Sequence, residues 1–160
     1  MTPSENAIEE IKKLKARYFR CMDSKEWDNL AAVFAPDIAF DLTQVNSVRH
    51  PKTGKWEPPY AGPEQIYRGV DTVMTMIRSG LGELYSVHHG HMPEIDILSD
   101  TTARGIWAME DTIWDLDHKI VLHGHGHYHE TYERLARGWV IKTMRITRLY
   151  TEGFVKEDLT

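Results

Sequence analysis

The stretch "ARGIWAMEDTIWDLDHKIVLHGHGHYHETYERL", Ala103–Leu135, has the pattern of two long β-strands joined by a turn at "DLDH". Two more strand-like stretches, "VHHGHMPEIDI" and "WVIKTMRITRLY", lie on either side of it. The connections "SDTT" and "ARG" have turn-like composition. The pattern therefore predicts a run of long antiparallel strands after Tyr85.

The first part of the chain shows helical patterns instead. Thr2, Pro3 and Glu5 form a capping box with proline at the first helical position. An apolar stripe at three- and four-residue spacing follows, made of Ile8, Ile11, Leu14, Tyr18 and Met22. Asp23 and Glu26 repeat the capping-box pattern and predict a short second helix through "EWDNLAAVF". "IAFDL" is typical of a strand, and "GVDTVMTMI" of a third helix. Helices followed by antiparallel strands predict a single α+β domain over residues 1–160.

Composition narrows the function classes. The chain has 160 residues, of which 41% are hydrophobic and 27% charged, as in an ordinary globular domain. A net charge of −5 with scattered basic residues argues against nucleic acid as a partner. No apolar run approaches membrane-spanning length, and "MTPSENAIEE" is too acidic for a secretory signal. The single cysteine, Cys21, allows no internal disulfide, so a reducing, cytoplasmic location is expected.

Two charged residues fall on predicted apolar strand faces. The apolar neighbours are Trp107, Met109 and Ile113 for Asp111, and Met144, Ile146 and Tyr150 for Arg148. A carboxylate among apolar side chains must be paired or protonated. Asp111 and Arg148 could form a structural ion pair, or they could be held in a pocket for a substrate.

Other candidate groups each have an ordinary structural explanation. Tyr18 lies on the helical stripe, where a core tyrosine is common, and Asp23 could serve only as a helix cap. His88, His89 and His91 lie in or near a strand of unknown register, and any of them could be a general base. Together with Asp111 and Arg148 these residues form a complete acid–base set.

A long loop rich in Pro and Gly runs from Gln44 to Pro63 and contains Trp56 and Tyr60. Loops of this length are usually functional or mobile, so it is expected to form a lid or a pocket wall. The predicted substrate-binding residues are Trp56, Tyr60, Trp107, Met109, Tyr128 and Met144.

"HGHGHYHE", His123–Glu130, places four imidazoles on one face of a strand, about 6.6 Å apart along the chain. If "DH" is a two-residue turn, Leu116 pairs with Lys119 and Asp111 faces Gly124. The histidines then lie on the face away from Asp111, and the glycines make room for a ligand. A turn one residue longer would bring the imidazoles into the pocket. The first case is favoured, with the histidines on an outer face that is solvated or in a subunit contact. A His-x-His pair can chelate a metal, but the sequence offers no clear third ligand, so no metal is predicted.

Three stretches, "AIEEIKKLKARYFRCMDSKEWDNL", "HHGHMPEIDILSDTTARGIWAMED" and "GWVIKTMRITRLY", closely resemble the SnoaL-like branch of the nuclear-transport-factor-like superfamily. Within it they look most like bacterial bile acid 7α-dehydratases, with scytalone dehydratase and hexachlorocyclohexane dehydrochlorinase as more distant relatives. The resemblance implies a cone-shaped α+β barrel, in which N-terminal helices pack on a strongly curved, mostly antiparallel sheet around a deep apolar pocket.

The resemblance also implies a reaction. Carried over residue by residue, the dehydratase pattern assigns the catalytic residues to Tyr18, Asp23, His88, Asp111 and Arg148. His88, oriented by Asp23, would remove a proton next to a carbonyl-like group, and Tyr18 would stabilise the oxyanion with Asp111 and Arg148 behind it. The expected function is a lyase without a cofactor, acting on a hydrophobic hydroxylated steroid or aromatic compound.

Two features depart from the dehydratase pattern, namely the long loop and the histidine-rich strand. They leave open a carbon–carbon lyase that releases formaldehyde from an aryl propanoid. A non-catalytic ligand-binding module is the other alternative. The resemblance further implies a homodimer or trimer formed through the outer sheet face, with Trp114 and the histidine face as candidate contacts.

Overall fold

The computed structural model describes residues 2–59 and 61–153. Helix α1 spans Pro3–Asp23, α2 spans Trp27–Ala31 and α3 spans Val70–Leu81, with a short 3-10 helix at Pro63–Gln65. The predicted capping box at the start of α1 is confirmed, because Thr2 and Glu5 exchange side chain–backbone hydrogen bonds. None of the helices in the described ranges is long and apolar enough to span a bilayer.

Eight strands form one mixed, mostly antiparallel sheet. They are β1 Phe34–Asp41, β2 Val48–Arg49, β3 Trp56–Glu57, β4 Ile66–Arg68, β5 Tyr85–Ile97, β6 Thr102–Trp114, β7 Ile120–Leu135 and β8 Gly138–Glu152. The main order is β3-β2-β8-β7-β6-β5, and β1 pairs with both β8 and β4. Strands β1 and β2 run parallel to β8, while the other pairings are antiparallel.

The sheet curves around α1. This helix contacts both β5 and β8, although β6 and β7 lie between those strands in the sheet. Pairing irregularities interrupt β5–β6, β6–β7 and β7–β8, and such bulges bend a sheet and increase its twist. The curved sheet and its helices therefore enclose an apolar core, as the α+β prediction required.

The interpretation of Asp23 as the cap of a second helix is wrong. Helix α1 continues to Asp23 itself, and the residue that precedes α2 is Glu26, which makes no side-chain cap. The Asp23 carboxylate instead accepts hydrogen bonds from strand β5. The capping-box pattern gave the wrong role because the Asp23 carboxylate binds Ser86 and His88, which are distant in sequence.

The predicted two-residue turn between β6 and β7 is also wrong, yet the register it implied is confirmed. The loop is one residue longer, closed by the Asp115 N–H to Lys119 carbonyl bond, with His118 in the left-handed region at φ 61°. A second irregularity follows, since Trp114 pairs with Ile120 but Ile113 pairs with Leu122. The extra residue in the turn and the bulge cancel, so Asp111 does face Gly124.

Tyr150 does not share the inner face with Arg148, contrary to the prediction. His125 pairs with Tyr150 and the next residue, Gly126, pairs with Arg148, so Leu149 is a bulge. The bulge reverses the alternation, and both Leu149 and Tyr150 are exposed.

Candidate active site

A cavity of about 190 Å³ lies between α1, α3 and the inner face of the sheet. Its polar lining consists of five side chains: Tyr18, His88, Asp111, Tyr128 and Arg148. The rest of the lining is mainly apolar and comes from Met22, Phe40, Leu42, Val45, Met76, Ile77, Leu81, Ile113, Leu122 and Ile146. The fold thus brings four of the five predicted catalytic residues to one small cavity, and the fifth, Asp23, contacts His88.

His88 and Asp23 form a hydrogen-bonded dyad. The His88 ring is buried, and its Nδ1 lies 2.7 Å from Asp23 Oδ1. The other carboxylate oxygen accepts the backbone N–H of His88 at 2.8 Å, and Ser86 Oγ donates to Oδ1 at 2.9 Å. A carboxylate on Nδ1 fixes the tautomer with the proton there and leaves the Nε2 lone pair available. No residue in the described ranges forms a hydrogen bond with Nε2, so this nitrogen has the arrangement of a general base.

Asp111 and Arg148 form a buried bidentate pair across the inner face. Arg148 Nη1 and Nη2 lie 2.7 Å and 2.8 Å from the two Asp111 oxygens. The guanidinium also donates to the Val45 carbonyl and contacts Met109 Sδ. A guanidinium has five N–H donors, so one Nη2–H has no partner among the described residues and remains for a ligand.

Gly124 makes room for this ion pair. A Cβ atom on Gly124 would lie 2.5 Å from Arg148 Nη1 and 2.6 Å from Asp111 Oδ1. The sequence suggested that the glycines of β7 make room for a ligand. In the structure, the Asp111–Arg148 pair occupies the space beside Gly124, and the backbone of Thr147 occupies the space beside Gly126.

Tyr18 and Tyr128 supply two neutral phenols to the cavity. Their rings meet edge to face, with centroids 5.9 Å apart, and both side chains are almost fully buried. Burial raises the pKa of Tyr18 well above its usual value, and the neighbouring Tyr128, Glu130 and Asp111 raise it further. Burial likewise raises the pKa of Tyr128, with a further contribution from Asp111. Both phenols therefore keep their protons and can act as hydrogen-bond donors, not as bases.

A second buried polar network, which the sequence reasoning missed, lies beneath the phenols. Lys15 from α1 and Glu130 from β7 form an ion pair in which both side chains are fully buried. Tyr132 donates to the same carboxylate, and Trp107 Nε1 donates to the Tyr132 oxygen at 2.8 Å. The Lys15 Nζ atom also lies 3.5 Å from the centre of the Tyr128 ring.

The sequence contains a pattern that indicates this second network. Lys15 lies four residues after Ile11 and three before Tyr18, on the stripe of α1. Glu130 alternates with Tyr128 and Tyr132, as Asp111 does with its apolar neighbours. The rule that singled out Asp111 would have found Glu130.

Among the predicted substrate-binding residues, Tyr128 lines the cavity. Trp107, Met109 and Met144 face the interior as expected, but they are not among the described residues that line the cavity. Trp56 is half-buried in β3 and is also not among the described residues that line the cavity. Tyr60 lies outside the described residues. The long loop does contribute a wall, because Val45 lines the cavity and binds Arg148.

The four histidines of the 123–129 segment lie on the outer face of the sheet. His123, His125, His127 and His129 are half-buried, while the alternate residues from Gly124 to Glu130 are buried. His89 and His91 are exposed, whereas His88 is buried. The imidazoles of the segment are therefore separated from the cavity by the sheet itself.

Comparison with known families identifies the class of this protein. The family model of the SnoaL-like domain matches residues 4–145, so the chain belongs to the SnoaL-like family. The resemblance at the superfamily level is thereby confirmed, together with the cone-shaped α+β fold. A specific likeness to bile acid dehydratases is not among these findings.

Individual relatives are distant. The chain is 24% identical over 152 residues to the "Probable cyclase FGR4" of Gibberella zeae, covering 94% of this chain and 96% of the relative. A putative scytalone dehydratase from Novosphingobium aromaticivorans superposes with a TM-score of 0.77 at 17% identity, covering 96% of this chain and 91% of the other. A hexachlorocyclohexane dehydrochlorinase (LinA) Type2 superposes with a TM-score of 0.68 at 14% identity, over 98% and 93% of the two chains. The two structural matches establish the shared fold.

Proposed function

We propose that this protein is a cofactor-independent lyase that eliminates water from a small hydrophobic hydroxylated ring compound by general acid–base chemistry. The observation that carries the proposal is the His88–Asp23 dyad. Its Nε2 has no hydrogen-bond partner among the described residues, and the cavity next to it also contains two neutral phenols and an arginine. The names of the relatives support a reaction of the lyase or isomerase type, since they include a dehydratase, a dehydrochlorinase and a probable cyclase.

The proposed mechanism uses the groups of the cavity in sequence. His88 Nε2 removes a proton from the carbon next to a substrate carbonyl, and Asp23 stabilises the imidazolium that forms. Tyr18, Tyr128 or the remaining Nη2–H of Arg148 donates to the developing oxyanion. As the carbon–carbon double bond forms, the hydroxyl group on the next carbon leaves and takes the proton from His88. Substrate thus loses one hydrogen and one hydroxyl as water, and His88 returns to its neutral form.

The apolar walls favour this chemistry in two ways. They exclude water from the cavity, which strengthens each hydrogen bond to the oxyanion. They also keep the phenols protonated, because burial raises the pKa of Tyr18 and Tyr128. A phenol that stays protonated can donate to an oxyanion but cannot compete with His88 as the base.

The volume of the cavity restricts the substrate. Sites for drug-sized ligands commonly enclose about 300–1,000 Å³, whereas this cavity holds about 190 Å³. We therefore propose a substrate of one or two rings, such as a hydroxylated aromatic ketone, in preference to a four-ring steroid.

The test is a substrate panel with purified protein that has been treated with a chelator. The panel contains β-hydroxy ketones of one or two rings, aryl propanoids with a hydroxymethyl group, and a hydroxysteroid as the size control. Mass spectrometry then reads the products. Loss of water from the small ketones alone is the expected result. Loss of formaldehyde would replace the proposal by a carbon–carbon lyase. Tight binding without turnover would overturn it in favour of a ligand-binding module.

A further inference from the structure

The outer face of the sheet contains a compact cluster of possible metal ligands. Glu110 on β6 lies directly opposite His125 on β7, and His123 projects from the same face two residues away. One ligand atom from each of the three side chains lies within 4.8 Å of the other two. Glu110 thus provides the third partner that the sequence left missing. All three side chains are half-buried, so an ion from solvent can reach them.

The spacing in this cluster matches that of ligands on one metal ion. Two ligands bound to a tetrahedral zinc ion at about 2.0–2.1 Å lie about 3.3 Å from each other. His123 Nε2 and Glu110 Oε1 are 3.2 Å apart and form a hydrogen bond, so a bound ion would take the place of the shared proton. The His123 and His125 rings are close as well, with centroids 4.7 Å apart. The His125 ligand atom lies within 4.8 Å of the other two, so this ring must move closer to them to share one ion.

The surroundings of the cluster also resemble a metal site. His123 Nδ1 lies 3.0 Å from Glu152 Oε1, so a carboxylate orients the ring and leaves Nε2 directed at Glu110. Metal-bound histidines in proteins usually donate the second ring N–H to a carboxylate, a backbone carbonyl or water, and Glu152 is one such partner. His91 Nε2 lies 4.0 Å from the other oxygen of Glu110, next to the three-residue cluster but not part of it.

We propose that Glu110, His123 and His125 bind one divalent transition-metal ion on the outer face of the sheet. Two imidazoles and one carboxylate suit zinc first, with copper and nickel as alternatives of the same ligand preference. The ion ties β6 to β7 at the level of the active site but on the opposite face from the cavity. It is therefore a site separate from the proposed elimination, which it does not enter.

Titration of the chelator-treated protein with zinc tests the site, and calorimetry monitors the binding. In a second titration cobalt replaces zinc, and visible absorption monitors the binding. The key variant is the double substitution His123→Gln and His125→Gln. The matched control is His127→Gln and His129→Gln, on the same strand and face. His127 and His129 also form a His-x-His pair, but no carboxylate completes a ligand set with them in the described ranges.

We expect one zinc ion per chain, and binding at least about 100-fold weaker in the first double variant, with the control unchanged. Glu110→Gln, which keeps the shape but removes the charge, should weaken binding by about 10-fold or more. Zinc should also raise the melting temperature of the wild type and of the control, but not that of the first variant.

Three results would overturn the site. The first is an equal loss of zinc affinity in both double variants, which would mean that the histidines of the outer face capture zinc nonspecifically. The second is no loss of zinc affinity in either double variant. The third is a loss of zinc affinity only in His88→Gln, which would place the ion in the cavity. Because binding and melting are read directly, failure here leaves the elimination proposal intact, and failure of that proposal leaves this one intact.

Discussion

Two buried ion pairs lie on the inner face of the same curved sheet, and they differ in what else they touch. Asp111 and Arg148 border the cavity, and one guanidinium N–H stays available to a ligand. Lys15 and Glu130 are sealed from solvent, and Tyr132 occupies the second oxygen of Glu130. The chemistry of the two pairs is similar, so access to the cavity is the difference that leads us to propose a functional role for the first pair and a structural role for the second.

The largest expected effect is a loss of stability, and it is the same for the two pairs. Arg148→Met and Lys15→Met each leave a buried carboxylate without its cation, which should lower the free energy of unfolding by about 3–5 kcal/mol. Chemical denaturation measures the change. Arg104→Met is the control, because its pair with Asp96 is exposed and should be worth at most about 1 kcal/mol. If either buried variant is no worse than this control, that pair is not a buried ion pair in solution.

The second prediction separates the pairs by activity. Neutralising both partners in Asp111→Asn with Arg148→Gln should lower kcat/KM by at least about 100-fold, because a preorganised donor in the cavity is lost. Lys15→Met with Glu130→Gln should leave kcat/KM within about threefold and restore most of the stability lost in Lys15→Met. Steady-state kinetics on the substrate found by the panel decides the matter. Equal losses in the two double variants would remove the distinction between the pairs.

Much of this comparison could be read from the sequence by alternation alone. The pattern around Trp107 placed Asp111 inside, and the same pattern places Glu130 beside Tyr128 and Tyr132, where it was overlooked. Alternation failed at Tyr150, because one extra residue at Leu149 reverses the faces and leaves no mark in the sequence.

Other parts of the site depend on distant contacts that no local pattern contains. His88 and Asp23 are 65 residues apart, and only the folded chain brings them together. The family resemblance assigned both residues, whereas local reasoning made Asp23 a helix cap. The outer-face position of the histidines is the case that the sequence favours, and it is confirmed. The structure reaches it by a different route, because a longer turn is compensated by a bulge.

A smaller effect is expected from glycine substitutions beside each pair. In Gly124→Ala the new methyl group would lie 2.5 Å from Arg148 Nη1 and force the ion pair apart. We expect a loss of stability of about 1–3 kcal/mol together with a roughly 10-fold loss of activity. Gly105→Ala is the matched change next to Tyr132, with its nearest contacts at 3.2 Å and 3.3 Å. It should cost less than about 1.5 kcal/mol and keep its activity. The reverse ranking would contradict the role of Gly124.

A more gradual effect is a pH dependence that belongs to the sealed pair. Burial lowers the pKa of Lys15 from 10.5 to about 8, against the opposing influence of Glu130. Between these two values the unfolded chain binds more protons than the folded one, so the contribution of Lys15 to stability rises with pH. The stability difference between wild type and Lys15→Met should therefore increase from pH 8 toward pH 10.5, on the order of 1 kcal/mol per pH unit. Denaturation at several pH values measures it, and a decrease over this window would contradict the burial of the ammonium group.

We propose that His88 is the catalytic base of the cavity, and a comparison of two adjacent histidines tests this proposal. His88 faces inward and binds Asp23, whereas His89 is exposed on the other face of the same strand. The measurement is kcat/KM for His88→Gln and His89→Gln, with melting temperatures to confirm that both variants fold. We expect a loss of about 10²–10⁴-fold for His88→Gln and no loss for His89→Gln. Equal activity in the two folded variants would contradict it.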